Sequence, residues 1–159
     1  MAATHEAINV ETLTDTKLVI TRDFAARPAQ VFRAFTDPDL VSQWLSSPER
    51  PMSLCVIDLK PGGDWRYAWQ GARGQDIAVG GVYREVDEPH RTVHTESFDV
   101  DWTDGDTVVT TTFADVNGNT RVTTHIEYPS PESLDAVLTM NMPRDLIAAY
   151  RRLDGLLVA

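Results

Sequence analysis

The hydrophobic pattern of this chain changes period once, and that change limits the folds open to it. From Met52 to Tyr128 apolar and polar residues alternate, as in strands with one buried face: Trp65, Tyr67 and Trp69 share one side of one run, and His94, Glu96 and Phe98 share one side of another. From Ser130 onward Leu134, Leu138, Met142, Leu146, Tyr150, Leu153 and Leu157 recur at spacings of three and four, the stripe of an amphipathic helix. A sheet with one aromatic face and a long helix with one apolar face bury each other as two layers of an α+β domain. A space between such layers is the natural place for a small molecule.

Local signals fill in the order of elements. Met1 to Thr16 is acidic and rich in threonine and reads as a flexible tail (residues 1–16), leaving 17–159 as one domain. Lys17 to Phe24 alternates as a first strand, with Arg22 on its apolar side. Pro28 opens a short helix carrying Val31, Phe32 and Phe35, and Asp37-Pro38 is an N-cap and first helical residue for a second one carrying Leu40, Val41 and Trp44. Six strands are expected after Met52, joined by Pro61-Gly62-Gly63, by the stretch from Gly71 to Gly74, by Glu88-Pro89-His90 and by the hairpin dipeptides Asp104-Gly105 and Asn117-Gly118. The total is about seven antiparallel strands. Pro143 falls inside the last helical stripe and is expected to kink it near Thr139 to Met142.

Acidic residues outnumber basic ones 24 to 14 for a net charge of −10, which disfavours nucleic acid and anionic membranes as partners. No apolar run is long enough to span a bilayer and the N-terminus has no signal-peptide pattern, so a cytoplasmic protein without membrane insertion is expected, as monomer or homodimer. Lone Cys55 sits in an apolar strand-like run and reads as a buried thiol.

Phosphate loops, dinucleotide fingerprints, serine-nucleophile elbows and zinc ligand pairs are absent from the sequence, and no cofactor or metal is expected. The residues with chemistry are His94 and Glu96. If Phe98 faces inward so do they, and a buried carboxylate with a raised pKa serves as an acid or base. The competing reading pairs Glu96 with Arg22 or Arg66 and leaves His94 as hydrogen-bonded structure. Trp44, Trp65, Tyr67 and Trp69 are likewise either plain core or the lining of a cavity. His125 shares its face with Arg121, Thr123 and Glu127 and is expected in solvent.

The order of several short motifs is shared with a known family. They are Ile20-Thr-Arg22-x-Phe24; Pro28 with Val31-Phe32-x-Ala34-Phe35-Thr36-x-Pro38 and Trp44; Asp58-Leu-Lys-Pro61-Gly62-Gly63-x-Trp65-Arg66; Gly81-Val-Tyr83-Arg-Glu85-Val86; Arg91-x-Val93-x-Thr95-Glu96-Ser97-Phe98; Val109-Thr110 to Phe113; and Asn117-Gly118-x-Thr120. The chain resembles the START-like helix-grip (SRPBCC) superfamily, and within it stand-alone homologues of the activator of heat-shock protein 90 ATPase, often grouped with polyketide cyclases. The resemblance implies a curved antiparallel sheet gripping a long C-terminal helix over a cavity for a hydrophobic small molecule or lipid. Trp44, Trp65, Tyr67, Trp69, His94, Glu96 and Phe98, with Leu138, Met142 and Leu146 from the helix, are the residues expected to meet that ligand. Relatives also include cyclising enzymes, for which Glu96 and His94 are the catalytic candidates, and activators of a chaperone partner. Two departures bear on the cavity mouth: the family's Gly-Met in the last helix is Asn141-Met142 followed by Pro143, and a second Trp after Trp44 is replaced by Leu45.

Overall fold

A computed structural model describes residues 8–71, 76–99, 105–139 and 142–157, with the side chains of 142–144 outside that description. The elements are β1 (Asn9–Thr12), β2 (Lys17–Phe24), α1 (Pro28–Thr36), α2 (Pro38–Trp44), β3 (Met52–Ile57), β4 (Asp64–Gln70), β5 (Asp76–Asp87), β6 (Arg91–Phe98), β7 (Thr107–Val116), β8 (Asn119–Glu127), α3 (Pro131–Thr139) and α4 (Met142–Leu157). The strands form one antiparallel sheet in the order β1-β2-β8-β7-β6-β5-β4-β3. Thus β3 to β8 meander, and the chain before α1 pairs with the far end of that meander.

The eighth strand corrects the tail expected over 1–16. Asn9, Val10, Glu11 and Thr12 pair with Thr21, Ile20, Val19 and Leu18 at the edge of the sheet. Edge pairing is made by backbone groups, so a segment with little apolar alternation takes part in it without announcing itself. The expected first strand is β2, whose inward residues Leu18, Ile20, Arg22 and Phe24 are all buried.

Both short helices start as the sequence dictates. Pro28 is placed where its missing N–H costs nothing, and the Asp37 carboxylate accepts from the Asp39 N–H at 3.0 Å. The Asn117-Gly118 hairpin turn has positive φ at both residues, 56° and 86°. Asp104 lies outside the described residues, as do Asn141 and Met140. The expected single C-terminal helix is two helices, α3 and α4, with 140–141 between them undescribed. Pro143 stands second in α4, where a helix tolerates a residue that neither donates a hydrogen bond nor accommodates a preceding turn.

The main core lies under α1, α2 and the C-terminal part of α4, where Phe24, Phe32, Trp44, Phe113, Tyr150 and Leu153 are buried together. Ring contacts knit it, Phe24 to Tyr150 at 5.2 Å and Phe32 to Phe113 at 5.1 Å between centroids. Arg22 is buried on this inner face and is neutralised by Asp154 of α4 in a two-pronged ion pair of 2.6 and 2.7 Å, while its guanidinium lies 4.5 Å from the Phe24 ring centroid. That pair fastens the last turn of α4 to β2. A second cluster, Leu18, Ile20, Tyr128, Leu134 and Val137, packs α3 on the β2–β8 side of the sheet. No helix among the described residues is long and apolar enough to cross a membrane.

Candidate functional site

A third apolar cluster adjoins the main core through Leu59 and Val86. It comprises Trp65, Val79 and Tyr83, with Ile57, Leu59, Tyr67, Trp69, Val86 and Phe98 packed against them, and every member comes from the strands and connections of the β3–β6 half of the sheet. Among the described residues no helical side chain joins it. The aromatic wall anticipated from the alternation of β4 is therefore present, with α2 packed against β3 at its edge.

Register explains the convergence. Trp65, Tyr67 and Trp69 of β4 pair with Gly81, Val79 and Ile77 of β5, and Tyr83 and Val79 of β5 pair with His94 and Phe98 of β6. Trp65, Tyr67, Trp69, Val79, Tyr83 and Phe98 gather in the inner cluster, with the His94 ring against Trp65 and Tyr83, whereas Ile77 near the start of β5 is exposed. The rings form a continuous run: Trp69 to Tyr67 at 6.1 Å, Tyr67 to Trp65 at 4.7 Å, Trp65 to His94 at 5.1 Å and His94 to Tyr83 at 5.7 Å. Gly81 makes the middle of this run possible. A Cβ there would overlap the Thr95 carbonyl, and it is across this bare position that the Trp65 indole donates to Thr95 O at 3.0 Å. The opened ladder is completed by the Thr95 hydroxyl, which accepts from Val82 N at 3.0 Å. Trp69 is anchored too, donating from its indole to Leu45 O at 2.8 Å.

Glu96 meets neither arginine proposed for it. Arg22 is held by Asp154 and Arg66 by Asp99 on the outer face. Desolvation pushes the Glu96 carboxyl from 4.5 up to about 7, and no described cation opposes the shift. His94 is moved the other way by the same cause, from 6.5 down to about 4, so its imidazole is neutral at physiological pH. Its Nδ1 is buried without a hydrogen-bond partner among the described residues. Tyr67 and Tyr83 are also held in their neutral forms by desolvation, Tyr83 up to about 12, and the charge of Glu96 is felt at both Tyr67 and Tyr128.

Tyr67, Trp69, His94, Glu96 and Phe98 nevertheless keep accessible surface of an intermediate degree. They share the inner face of β4–β6, and Tyr128, just past the end of β8, stands close enough to feel the charge of Glu96.

The remaining expected ligand-facing residues divide differently. Trp44 is packed core, 4% exposed, with its indole bound to Ala34 O at 2.8 Å and its ring against Phe35 and Tyr150. Leu138 is 44% exposed, because α3 turns Ser133, Leu134 and Val137 inward instead. Leu146 bridges the first two clusters, and the Met142 side chain lies outside the described residues. Tyr83 and Tyr128 belong to the site and were not singled out from sequence. The signal available for Tyr83 was its place beside a Gly-Gly pair, which marks a close approach of strands.

A family model for the Activator of Hsp90 ATPase homolog 1-like protein matches residues 25–157. The chain belongs to this family. A solved structure of a protein from Rhodobacter sphaeroides is 34% identical, with a TM-score of 0.87 over 96% of this chain and 98% of that one. A protein from Mycobacterium smegmatis is 29% identical with a TM-score of 0.84, covering 95% and 97%. An HSP90 activator from Plasmodium falciparum is 24% identical with a TM-score of 0.58, covering 71% of this chain and 73% of that one. A comparison with curated protein sequences found no match. The helix-grip α+β architecture expected of the family is thus shared by the whole described sheet and its helices.

Proposed function

We propose that this member of the family binds a hydrophobic small molecule in the space bordered by the β4–β6 wall. One observation carries the reading: Tyr67, His94 and Glu96 are desolvated enough to shift their titration and yet keep accessible surface. The Trp65-Tyr67-Trp69 run supplies a large apolar contact area with few rotatable bonds, which suits ligand binding at low entropic cost. Native mass spectrometry of the protein, followed by a thermal-shift screen of hydrophobic compounds, tests this. A ligand at a hundred times its Kd adds about 2.7 kcal/mol, roughly 5–10 °C for a chain of this size. A bound mass or a saturable shift supports the reading. A screen in which no apolar compound raises the melting temperature refutes it.

A second reading, an enzyme of the cyclase or hydrolase type, draws on Glu96 alone. A carboxyl titrating near 7 beside the Tyr67 phenol is suited to proton transfer at neutral pH. If a substrate is found, Glu96→Gln is expected to abolish turnover and retain binding. Activation of a chaperone rests on the Plasmodium falciparum protein, whose likeness at 24% identity is one of fold.

A further inference from the structure

The polar groups of this space are an unusual set for a hydrophobic pocket, because they include a carboxyl and no described cation. Of the described basic side chains on the strands, Arg22 is paired with Asp154, Arg66 with Asp99, Arg91 with Glu85, Arg121 with Asp23 and Lys17 with Glu127, and Arg84 is exposed. The groups facing Glu96 from its neighbours are Tyr67 of β4, Tyr83 of β5 beyond it, His94 on its own strand, Thr107 paired with it on β7, and Tyr128 after β8. Cys55 of β3 stands behind Tyr67 as a neutral thiol. All are neutral at pH 7. Tyr67 and Trp69 keep accessible surface on the inner face that Glu96 shares, and the Tyr67 phenol feels the charge of Glu96, so the carboxyl and these rings border the same opening.

An anionic head group entering this opening would meet Glu96, and would approach a chain of net charge −10. A cationic head group finds the reverse: a carboxylate to pair with, phenol oxygens to accept its N–H groups, and the negative faces of Trp and Tyr rings. Resting on the pocket reading, we infer that the ligand is a hydrophobic ammonium, an apolar body ending in an amine whose charged head sits among Tyr67, Trp69 and His94 against Glu96.

The inference makes binding a proton exchange. In the empty pocket Glu96 is half protonated near pH 7, whereas a bound ammonium holds it ionised, so association expels the proton. Affinity for a cation then follows the ionised fraction and rises roughly tenfold from pH 6 to pH 8. An uncharged ligand of the same body shows no such rise.

Calorimetric titration with n-octylammonium, 1-octanol and octanoate at pH 6, 7 and 8 tests this, because the three share one apolar chain and differ in the head. The expected order is octylammonium at least about tenfold tighter than octanol at pH 8, with octanoate weakest. At pH 7 about half a proton is released per octylammonium bound, read from titrations in two buffers of different ionisation enthalpy. In Glu96→Gln, checked for folding by circular dichroism, the ammonium preference and its pH dependence disappear while octanol binding is kept. The wild-type pH dependence needs no variant and stands even if that one does not fold. Octanol binding as tightly as octylammonium, or a preference that survives in Glu96→Gln, overturns the inference and leaves the pocket. If none of the three binds, the pocket reading falls and the inference with it.

Discussion

Replacing Glu96 by Gln is expected to stabilise the protein at neutral and alkaline pH and to have little effect at pH 4.5 and below. The folded protein holds the Glu96 proton up to about pH 7, and the unfolded chain releases it near 4.5. Between those values the folded state binds more protons than the unfolded one, so this residue makes stability fall as pH rises. Below 4.5 the penalty is absent; above 7 it is complete. A difference of about 2.5 units at 1.36 kcal/mol per unit puts it at about 3 kcal/mol. His94 works with opposite sign: its folded pKa of about 4 lies below the usual 6.5, so it costs stability as pH falls through that interval. Over pH 4.5–6.5 the two slopes cancel in the wild type, which is why the difference between wild type and Glu96→Gln is the quantity to measure. Urea denaturation of both proteins from pH 4.5 to 8.5 reads it directly. The expected difference is near zero at pH 4.5 and grows to about 3 kcal/mol in favour of the variant by pH 8. A difference that does not change with pH means that Glu96 is hydrated in the folded state, and the argument from desolvation is then wrong.

Removing Asp154 leaves the Arg22 guanidinium buried and unpaired; since Asp154 is itself a third exposed, Asp154→Ala is expected to cost about 3 kcal/mol in chemical denaturation, at the lower end for a broken buried pair. Arg22→Met, which leaves only a partly solvated carboxylate, is expected to cost less, and the opposite order refutes the role given to the pair. Gly81→Ala forces a Cβ onto the Thr95 carbonyl, which is backbone and cannot swing away, so a loss of about 3 kcal/mol with reduced Trp65 fluorescence anisotropy is expected; an unchanged melting temperature removes the close approach. The Cys55 thiol is pushed up to about 11, by burial first and then by Asp39 and Asp37, so at pH 8 about one molecule in a thousand carries the thiolate. Alkylation by iodoacetamide is expected to be roughly 200-fold slower than for a free thiol, and a comparable rate contradicts that burial.

The period-two alternation of β4 and β6 was enough to place Trp65, Tyr67, Trp69, His94, Glu96 and Phe98 on one inner face, because side-chain direction in a strand is set by parity alone. Parity fails where a ladder is irregular. Register shifts between Tyr83 and Glu85, so Tyr83 and Val86, three residues apart, both belong to the inner wall and no alternation announces it. Pairing across long distances in sequence is equally silent: Arg22 looked misplaced on an apolar strand face until Asp154, 132 residues later, was brought onto it. Trp44 illustrates the reverse limit. Its place on a helix facing the core was legible, whereas the choice between core and cavity depends on what lies opposite, here Phe35 and Tyr150. The strand β1 escaped notice because an edge strand is held by its backbone.

The central claim is an accessible internal space over the β4–β6 wall, and filling it is the most direct test. N-phenyl-1-naphthylamine, uncharged and fluorescent only in apolar surroundings, is titrated into the wild type and into His94→Trp, whose larger ring occupies the space, with circular dichroism confirming that both are folded. Saturable binding at one site in the wild type, lost in His94→Trp, is the predicted result. Equal fluorescence in both proteins, or no saturable binding in the wild type, contradicts the account.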